Sequence, residues 1–564
     1  MSLLKSDWPD SSESRQRMLE SASSSQFPQY YEATLKEKVI QLLRRIKPAL
    51  IIFLTPMIFS FLLINGQREF RCAFCVCVMA VYWMTEVMPL AVTAMLPVVL
   101  FPFTGVLDCN NTAKEYINDT NFLFIGGLIM AASVEKCDLH ERVALSVLRL
   151  VGSQPKWIMA GFMIVTALLS MFISNTATTA MMVPIGQSVI SQLVESFEAH
   201  PNTGSSRLGC RKMATGLVLS ICFAANIGGT GTATGTPSNL VMLGQLTNLF
   251  PAEDGSLNYI SWIFFAVPLM LVCLICCWAT LWVFFLRKAP GEDEHVTKML
   301  HERYEQLPRM SYAEKSVFSC FVLLLCLWMF RNPGVVPGFG KYFAKGYYTD
   351  ATSAIIVSML LFMLPAEKPE LLRIFRPEEV KKGPPRLMDW ATMQKSFPWS
   401  VVLLLGGGFA LAAGVKESGL SQMLGQHMSA LKGLDSWALQ GLCMAIAMLV
   451  TNICSNTVTA SIFVPIVATL AQEVEIHPFQ LMLPTTLACS FAFVLPVGTP
   501  PNAIVFGSGM VKVSDMMFVG FVLSLETLFL TIVYMKTAAL VFLPLSDFPA
   551  WAALPGSLNE TLLI

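Results

Sequence analysis

One polar block is written twice inside apolar surroundings, and that duplication limits the fold of this chain more than any other feature. "SNTATTAMMVPI" at 174–185 lines up with "SNTVTASIFVPI" at 455–466, an offset of 281 residues. "IGGLIMAASVEK" at 125–136 lines up with "GGGFALAAGVKE" at 406–417, and Gly126 falls on Gly407 at the same offset. "GTPSNLVMLG" at 235–244 then matches "GTPPNAIVFG" at 498–507 at an offset of 263, so the second copy lacks 18 residues in between. Three blocks in one order, two of them in one register, require an internally repeated architecture.

The solvent of those repeats follows from composition. The 564 residues are 54% hydrophobic and 13% charged, well short of the roughly 25% charge of a soluble domain. Runs such as "ALIIFLTPMIFSFLLI" (49–64) and "ISWIFFAVPLMLVCLICCWATLWVFFL" (260–286) approach or exceed the roughly 20 residues that cross a bilayer as helix. The chain therefore reads as an all-α polytopic membrane protein. Its polar, Ser-rich start lacks the apolar core of a signal peptide and reads as a cytosolic tail over 1–45. The fifteen cysteines are scattered through apolar runs without metal-ligand spacing and read as small buried hydrophobes rather than a disulfide framework. Basic and acidic residues balance at 38 each, which gives no support for a nucleic-acid partner.

Lys and Arg set the orientation. Arg44, Arg45 and Lys47 precede the first span, Arg287 and Lys288 follow 260–286, and 366–398 is rich in both. These segments are expected in the cytosol. The loop after the first Ser-Asn-Thr block carries Arg207, Arg211 and Lys212, whereas "AQEVEIHPFQ" (471–480) after the second has neither Lys nor Arg, so the two repeats are expected to be inverted. Counting from a cytosolic N-terminus gives about eleven transmembrane helices plus two re-entrant hairpins. The first half, 46–286, holds a hairpin near 156–190 and a broken helix near 213–246. A cytosolic linker covers 287–313. The second half, 314–546, holds a hairpin near 436–470 and a broken helix near 481–510. The tail 547–564 falls outside the cell with a glycosylation sequon at Asn559, and sequons at Asn110 and Asn118 lie on the same side. An amphipathic stretch at 138–151 is expected to lie along the cytosolic interface.

The polar blocks carry the chemistry. "GGTGTATGTPSN" (228–239) and "VLPVGTPPN" (494–502) cannot be continuous helix, because the prolines remove amide donors and the glycines weaken helix further. Unwound backbone at membrane depth is tolerated only where protein buries it or it lines a wet cavity, and helices broken at matching places in two halves point to a transporter's substrate site. Ser, Thr and Asn oxygens suit a hard cation, while the same side chains and helix N-terminal amides donate to an anion. Ser170 lies one helical turn before Ser174, and Thr451 one turn before Ser455, so a hydroxyl repeats where a cation shell needs one. The blocks contain no Lys or Arg. A dianion bound there needs helix dipoles or co-bound cations to offset its charge, which implies ion coupling. An isolated Ser-Asn-Thr would read as a self-satisfied polar spot in a membrane helix; the duplication reverses that reading. The two glycine-rich blocks read as close-packing surfaces between helices. Glu86 and Glu526 are intramembrane carboxylates.

At these residues the chain resembles the divalent-anion sodium symporters, which include animal plasma-membrane carriers of dicarboxylates, citrate or sulfate. The likeness covers roughly residues 40 to 550 and rests on "YWMTEVMPLAVTAMLPV", "SMFISNTATTAMMVPI", "WSVVLLLGGGFALA", "CSNTVTAS" and "SFAFVLPVGTPPNAIVFG". The resemblance implies eleven spans, hairpins with Ser-Asn-Thr at their tips, a homodimer held by scaffold domains, and an elevator movement of a transport domain. Carried over, one sodium site uses Ser170, Ser174, Asn175 and the backbone near Gly235; the other uses Thr451, the Cys454 backbone, Asn456 and the Gly498 backbone. Substrate carboxylates meet Asn175, Thr176, Asn456 and Thr457, with Thr236, Pro237, Thr499 and Pro500 closing the site. Thr457 keeps a hydroxyl where relatives vary, which favours a small dicarboxylate such as succinate and leaves citrate, sulfate and sodium-independent exchange open.

Two other classes compete. An anion channel needs a continuous pore with rings of charge or filter carbonyls, whereas a duplicated, self-contained site suits occlusion. An intramembrane enzyme has little to stand on, with six histidines, none of them in the polar blocks. "FGSGM" (506–510) is not a nucleophile elbow, His140-Glu141 lacks the second metalloprotease histidine, and "GVVPGFGKY" (334–342) is not a phosphate loop. The sequence thus predicts a non-enzymatic carrier with sodium as coupling ion and no organic cofactor.

Overall fold

The computed structural model describes residues 35–149, 154–199, 207–253, 257–287, 304–332, 338–344, 346–368, 385–420 and 433–553, with isolated positions 298, 302 and 423. The chain divides into two units, Met1–Thr55 and Pro56–Ile564. Among the described residues the secondary structure is helical, and the β pairing is confined to an isolated bridge between Pro365 and Arg386. Seven helices there are long and apolar enough to cross a membrane: Ile46–Ile64, Cys109–Lys136, Gly209–Gly228, Tyr259–Leu286, Tyr312–Arg331, Trp399–Glu417 and Val513–Lys536. Four shorter apolar helices, Leu90–Thr104, Pro155–Ser170, Asp350–Met363 and Ser436–Thr451, fall where further spans or hairpin arms are expected.

We number the main helices in chain order: α1 Leu35–Phe59, α2 Arg68–Thr85, α3 Leu96–Thr104, α4 Asp119–Lys136, α5 Leu139–Leu148, α6 Pro155–Ser170, α7 Asn175–Ala199, α8 Arg207–Gly228, α9 Pro237–Leu249, α10 Tyr259–Leu281, α11 Tyr312–Arg331, α12 Asp350–Met363, α13 Trp399–Glu417, α14 Ser436–Thr451, α15 Asn456–Glu473, α16 Phe479–Ser490, α17 Pro500–Gly507 and α18 Val513–Lys536. Each Ser-Asn-Thr block joins two helices, α6 to α7 and α14 to α15. Each Gly-Thr-Pro block separates two half-helices, α8 from α9 and α16 from α17. The breaks stand where the prolines and glycines place them. Pro184 within α7 and Pro465 within α15 occupy matching positions of the repeat.

Local chemistry fixes the helix starts. Asn258 opens α10 and Thr349 opens α12 with capping boxes, and the Ser311 hydroxyl accepts from the Glu314 amide to open α11, each occupying amide donors that the first turn leaves unpaired. Asn118 caps α4 by accepting from the Asn121 amide at 3.0 Å. Glu86 terminates α2 in the left-handed conformation, φ +48°, so its place at a helix end is a backbone feature. Glu526 on α18 accepts from the Thr280 hydroxyl of α10 at 2.7 and 2.8 Å, which ties those two long helices together.

The glycine blocks are packing surfaces, as their composition suggests. A Cβ on Gly126 would stand 2.5 Å from the Ala354 Cβ, and one on Gly407 would collide with the Ala94 carbonyl oxygen. The expected amphipathic helix forms as α5, but its apolar face does not lie on lipid: Leu139, Leu145 and Leu148 are buried. Arg142 holds α5 against the segment before α11, donating from Nε to Glu314 Oε2 at 2.6 Å and from Nη2 to the Pro308 carbonyl at 2.7 Å. The repeats also interlock, since α7 packs on α17 and α9 on α15; the second arm of each hairpin meets the second half-helix of the other copy. The sequon at Asn559, most of the linker 287–313 and most of the two tails lie outside the described residues.

Candidate functional site

The first hairpin turns at 171–174. Ser174 Oγ accepts from the Ala177 amide at 3.2 Å, so this serine is the N-cap of α7. Ser170, fully buried on the last turn of α6, has its hydroxyl oxygen 2.5 Å from Asn175 Oδ1 and 2.8 Å from the Ala225 carbonyl oxygen. A hydroxyl carries one proton, so three oxygens share a single hydrogen bond donor. The second hairpin repeats the arrangement: Thr451 Oγ1 lies 2.9 Å from Asn456 Oδ1 and 2.5 Å from the Cys489 carbonyl oxygen. Clusters of neutral oxygens with too few protons fit a small hard cation, whose positive charge removes the lone-pair repulsion. The residues present therefore suit sodium in both copies.

Each hairpin tip rests on its own break. A Cβ on Gly235 would come 2.5 Å from the Gly229 carbonyl oxygen and 3.0 Å from that of Met171, and one on Gly229 would run into Asn175 Oδ1. In the second copy a Cβ on Gly498 would meet the Asn452 carbonyl oxygen at 3.0 Å. These glycines are required by close approach of two unwound segments. Thr236 and Thr499 are extended, with φ, ψ of −139°, 144° and −151°, 146°, because the proline after each disfavours helical backbone. Pro237 and Pro500 then start α9 and α17 at the N1 position, where a missing amide costs nothing.

Two asparagines that the sequence reading did not single out hold the breaks open. Asn239 Nδ2 donates to the Gly229 and Thr232 carbonyls at 3.2 and 2.8 Å. Its repeat mate Asn502 donates to the Ala492 and Leu495 carbonyls at 2.8 and 3.1 Å. Asn226 donates to Asn502 Oδ1 at 3.3 Å and links one break to the other. The signal was present, since "GTPSN" and "GTPPN" put both asparagines at one repeat position, four residues after a glycine that must be tied down.

The two copies converge on one cavity of about 520 Å³. Repeat one lines it with Ser174, Asn175, Thr176, Gly235, Thr236 and Pro237; repeat two adds Ser455, Asn456, Thr457, Gly498, Thr499 and Pro500. All eight residues expected to face a substrate are among them. Ser170, Thr451 and Cys454 are buried and are not part of this lining; they stand behind Asn175 and Asn456. Four helices, α7, α9, α15 and α17, begin at cavity-lining residues, so four positive dipole ends meet in a space lined by no Lys or Arg. At the two tips and breaks that is an anion-binding environment built from backbone and neutral side chains.

The family described as the sodium:sulfate symporter transmembrane region matches residues 36–543. The chain belongs to the sodium:sulfate symporter family. Within this family of membrane transporters, it is 70% identical over 561 residues to the sodium-dependent high-affinity dicarboxylate transporter 3 of Caenorhabditis elegans, with 99% of each chain covered. It is 39% identical over 558 residues to the Na(+)/citrate cotransporter of Rattus norvegicus, covering 90% of this chain and 98% of that one. The solved structure of MtrF from Neisseria gonorrhoeae, described with a class of antimetabolite efflux pumps, shares the fold at TM-score 0.50 and 15% identity over 76% of this chain and 82% of its own. As a sodium:sulfate symporter family member the chain is a multi-pass membrane transporter and not an enzyme.

Proposed function

We propose that this protein carries small di- and tricarboxylates across the plasma membrane, coupled to sodium. The observation that carries the reading is the cavity in which four helix N-termini and two Ser-Asn-Thr tips meet without a basic side chain, each tip backed by a proton-poor oxygen cluster. Two carboxylates accept hydrogen bonds from Asn175, Thr176, Asn456 and Thr457, and from Thr236 and Thr499 beside Pro237 and Pro500. Sodium sits at Ser170, Ser174, Asn175 and Gly235 in one copy and at Thr451, Cys454, Asn456 and Gly498 in the other. Cations so placed supply the charge that dipoles alone leave uncovered, and substrate and sodium then bind as one neutralised unit.

Eleven crossings with a cytosolic N-terminus, an extracellular C-terminal tail glycosylated at Asn559, a homodimer, and an elevator movement of the two hairpins with their broken helices complete the reading. The cavity runs along α4 to Glu135 and Pro398, on the side assigned to the cytosol, which supports an inward-facing state. Its relatives' names, one a dicarboxylate transporter and one a citrate cotransporter, favour carboxylates over sulfate for this chain. Uptake of labelled succinate, citrate and sulfate into proteoliposomes, with a sodium gradient, a potassium gradient or none, tests it. Sodium-gradient-dependent succinate uptake is the expected result; uptake that needs internal substrate and ignores sodium would replace symport with exchange, and single-channel currents would replace the carrier.

A further inference from the structure

The substrate cavity has one charged lining residue, and it has the sign of the proposed cargo. Glu135 stands in the last turn of α4, on the helix face that also presents Gly127 and Ala131 to the cavity. Gly127 abuts the break itself, where a Cβ would touch Thr234 Cγ2 at 3.7 Å. Eight residues of helix put Glu135 about 12 Å from that contact, at the mouth, and it is exposed there. The neighbouring cation does not neutralise it, because Lys136 Nζ is drawn aside to Asp389 Oδ2 at 2.7 Å and to the Arg386 carbonyl at 3.1 Å. Among the described residues no ion pair reaches the Glu135 carboxylate. A carboxylate in the last turn also opposes the helix dipole, so helix stability does not account for it.

The repeat sharpens the point. At the offset of 281 that sets Gly126 on Gly407, the position equivalent to Glu135 is Lys416. Lys416 sits in the last turn of α13, where its Nζ donates to the Asn248 carbonyl at 2.5 Å, and it lines a separate cavity of about 380 Å³. The next position is exchanged as well, Lys136 falling on Glu417, so each helix ends in one acid and one base; at the end of α4 only the acid lines the substrate cavity, whereas Lys416 and Glu417 both line the second cavity.

We infer that Glu135 is a specificity-determining residue that lowers the affinity for dicarboxylate specifically from the cytosolic side, so that cargo delivered there is released and not recaptured. This rests on the transport reading above. The magnitude is set by electrostatics: one charge acting on a dianion about 12 Å away through water changes an equilibrium by about threefold, and the effect fades once ions screen over distances shorter than that.

Right-side-out and inside-out vesicles from the same expressing cells test it, with succinate KM measured on each face at fixed sodium. At low ionic strength Glu135→Gln should lower the cytosolic-face KM roughly two- to fourfold and leave the outer-face KM unchanged. Glu135→Lys should lower it further, Glu135→Asp should match wild type, and raising ionic strength with an impermeant salt should erase the differences. A cytosolic-face KM unmoved in Glu135→Gln and Glu135→Lys, a shift on the outer face instead, or a salt-insensitive shift shared by Glu135→Asp would each overturn the assignment while wild-type uptake stands. Absence of sodium-dependent succinate uptake in wild-type vesicles would remove the transport reading first and this inference with it.

Discussion

The two halves of the cavity are copies in sequence and unequal in packing. The first break is buried throughout 228–233, with Trp262 donating to the Thr230 carbonyl at 3.1 Å. A Cβ on Gly231 would stand 2.7 Å from Met270 Sδ, and Phe172 of the first tip packs edge-on against Phe321, 4.9 Å between centroids. The second break is buried less completely: Val494, Leu495 and Pro496 are half-buried, Val497 is 76% exposed and Ile453 at its tip 56%. There a tip side chain holds the backbone, Asn452 Oδ1 accepting from the Val494 amide at 2.9 Å. Ser174 caps its helix and Ser455 makes no side-chain cap bond. Two prolines, Pro500 and Pro501, strip amides from the start of α17, whereas α9 has only Pro237. One duplicated motif thus gives a rigid half set into protein and a half whose tip can part from its surroundings at lower cost, because fewer buried contacts oppose local opening.

The comparison can be broken at several strengths. The largest effect is expected from the tip asparagines. Asn175→Ala and Asn456→Ala should each reduce sodium-dependent succinate uptake by roughly 10- to 100-fold, the cost of removing a hydrogen bond to a charged group, in protein that reaches the surface normally. Wild-type rates in either variant would show that the halves do not form one site. Next comes glycine. Gly229→Ala drives a methyl into Asn175 Oδ1, while Gly498→Ala meets the Asn452 carbonyl oxygen at 3.0 Å; sodium half-saturation should rise about tenfold or more in the first and only a few-fold in the second, where the exposed tip yields. Equal shifts would mean that the second tip is as rigid as the first.

The braces come third. Asn239→Ala strands two backbone carbonyls and Asn502→Ala strands two plus the Asn226 amide, so each should lower unfolding stability in detergent by about 1–3 kcal/mol, with Asn502→Ala the larger. The reverse order in thermal midpoints would show that the Asn226–Asn502 bond adds nothing to stability. The smallest effect concerns the latch at the end of α4. Lys136, with help from the Thr392 amide and hydroxyl, holds the Asp389 carboxyl well below the usual carboxylate range. A depressed folded-state pKa contributes stability above the unfolded value, near pH 4, and loses it as pH falls through the folded one. Because both side chains are partly exposed, 28% and 46%, Asp389→Asn should cost less than about 1 kcal/mol, and the loss should vanish in strong acid; an undiminished difference at the lowest pH would rule out this ion pair as its cause.

Much of the site was legible beforehand because membrane depth makes polar residues conspicuous. Asn175, Thr176, Asn456 and Thr457 stand out against apolar runs, and proline with glycine forbids helix at 228–239 and 494–502 whatever the tertiary setting. The braces Asn239 and Asn502 escaped notice because a side chain bonded to carbonyls seven and ten residues away leaves no local pattern. Glu135 has no local signature in the sequence, and only the direction taken by Lys136 shows that it is left without an ion pair among the described residues.

By itself the sequence determined that there are two copies, where each helix must break, and which side chains carry oxygen at those breaks, since these follow from covalent constraints on backbone and from the cost of polar groups in hydrocarbon. Tertiary structure alone decided that the copies interlock, α7 on α17 and α9 on α15, and so place all eight residues expected to face a substrate around one space. It also decided that α5 buries its apolar face in protein, and that the first break is buried throughout 228–233 while the second is exposed at Val497. Those outcomes depend on which distant surfaces meet, and a motif repeated at a fixed offset carries no record of its neighbours.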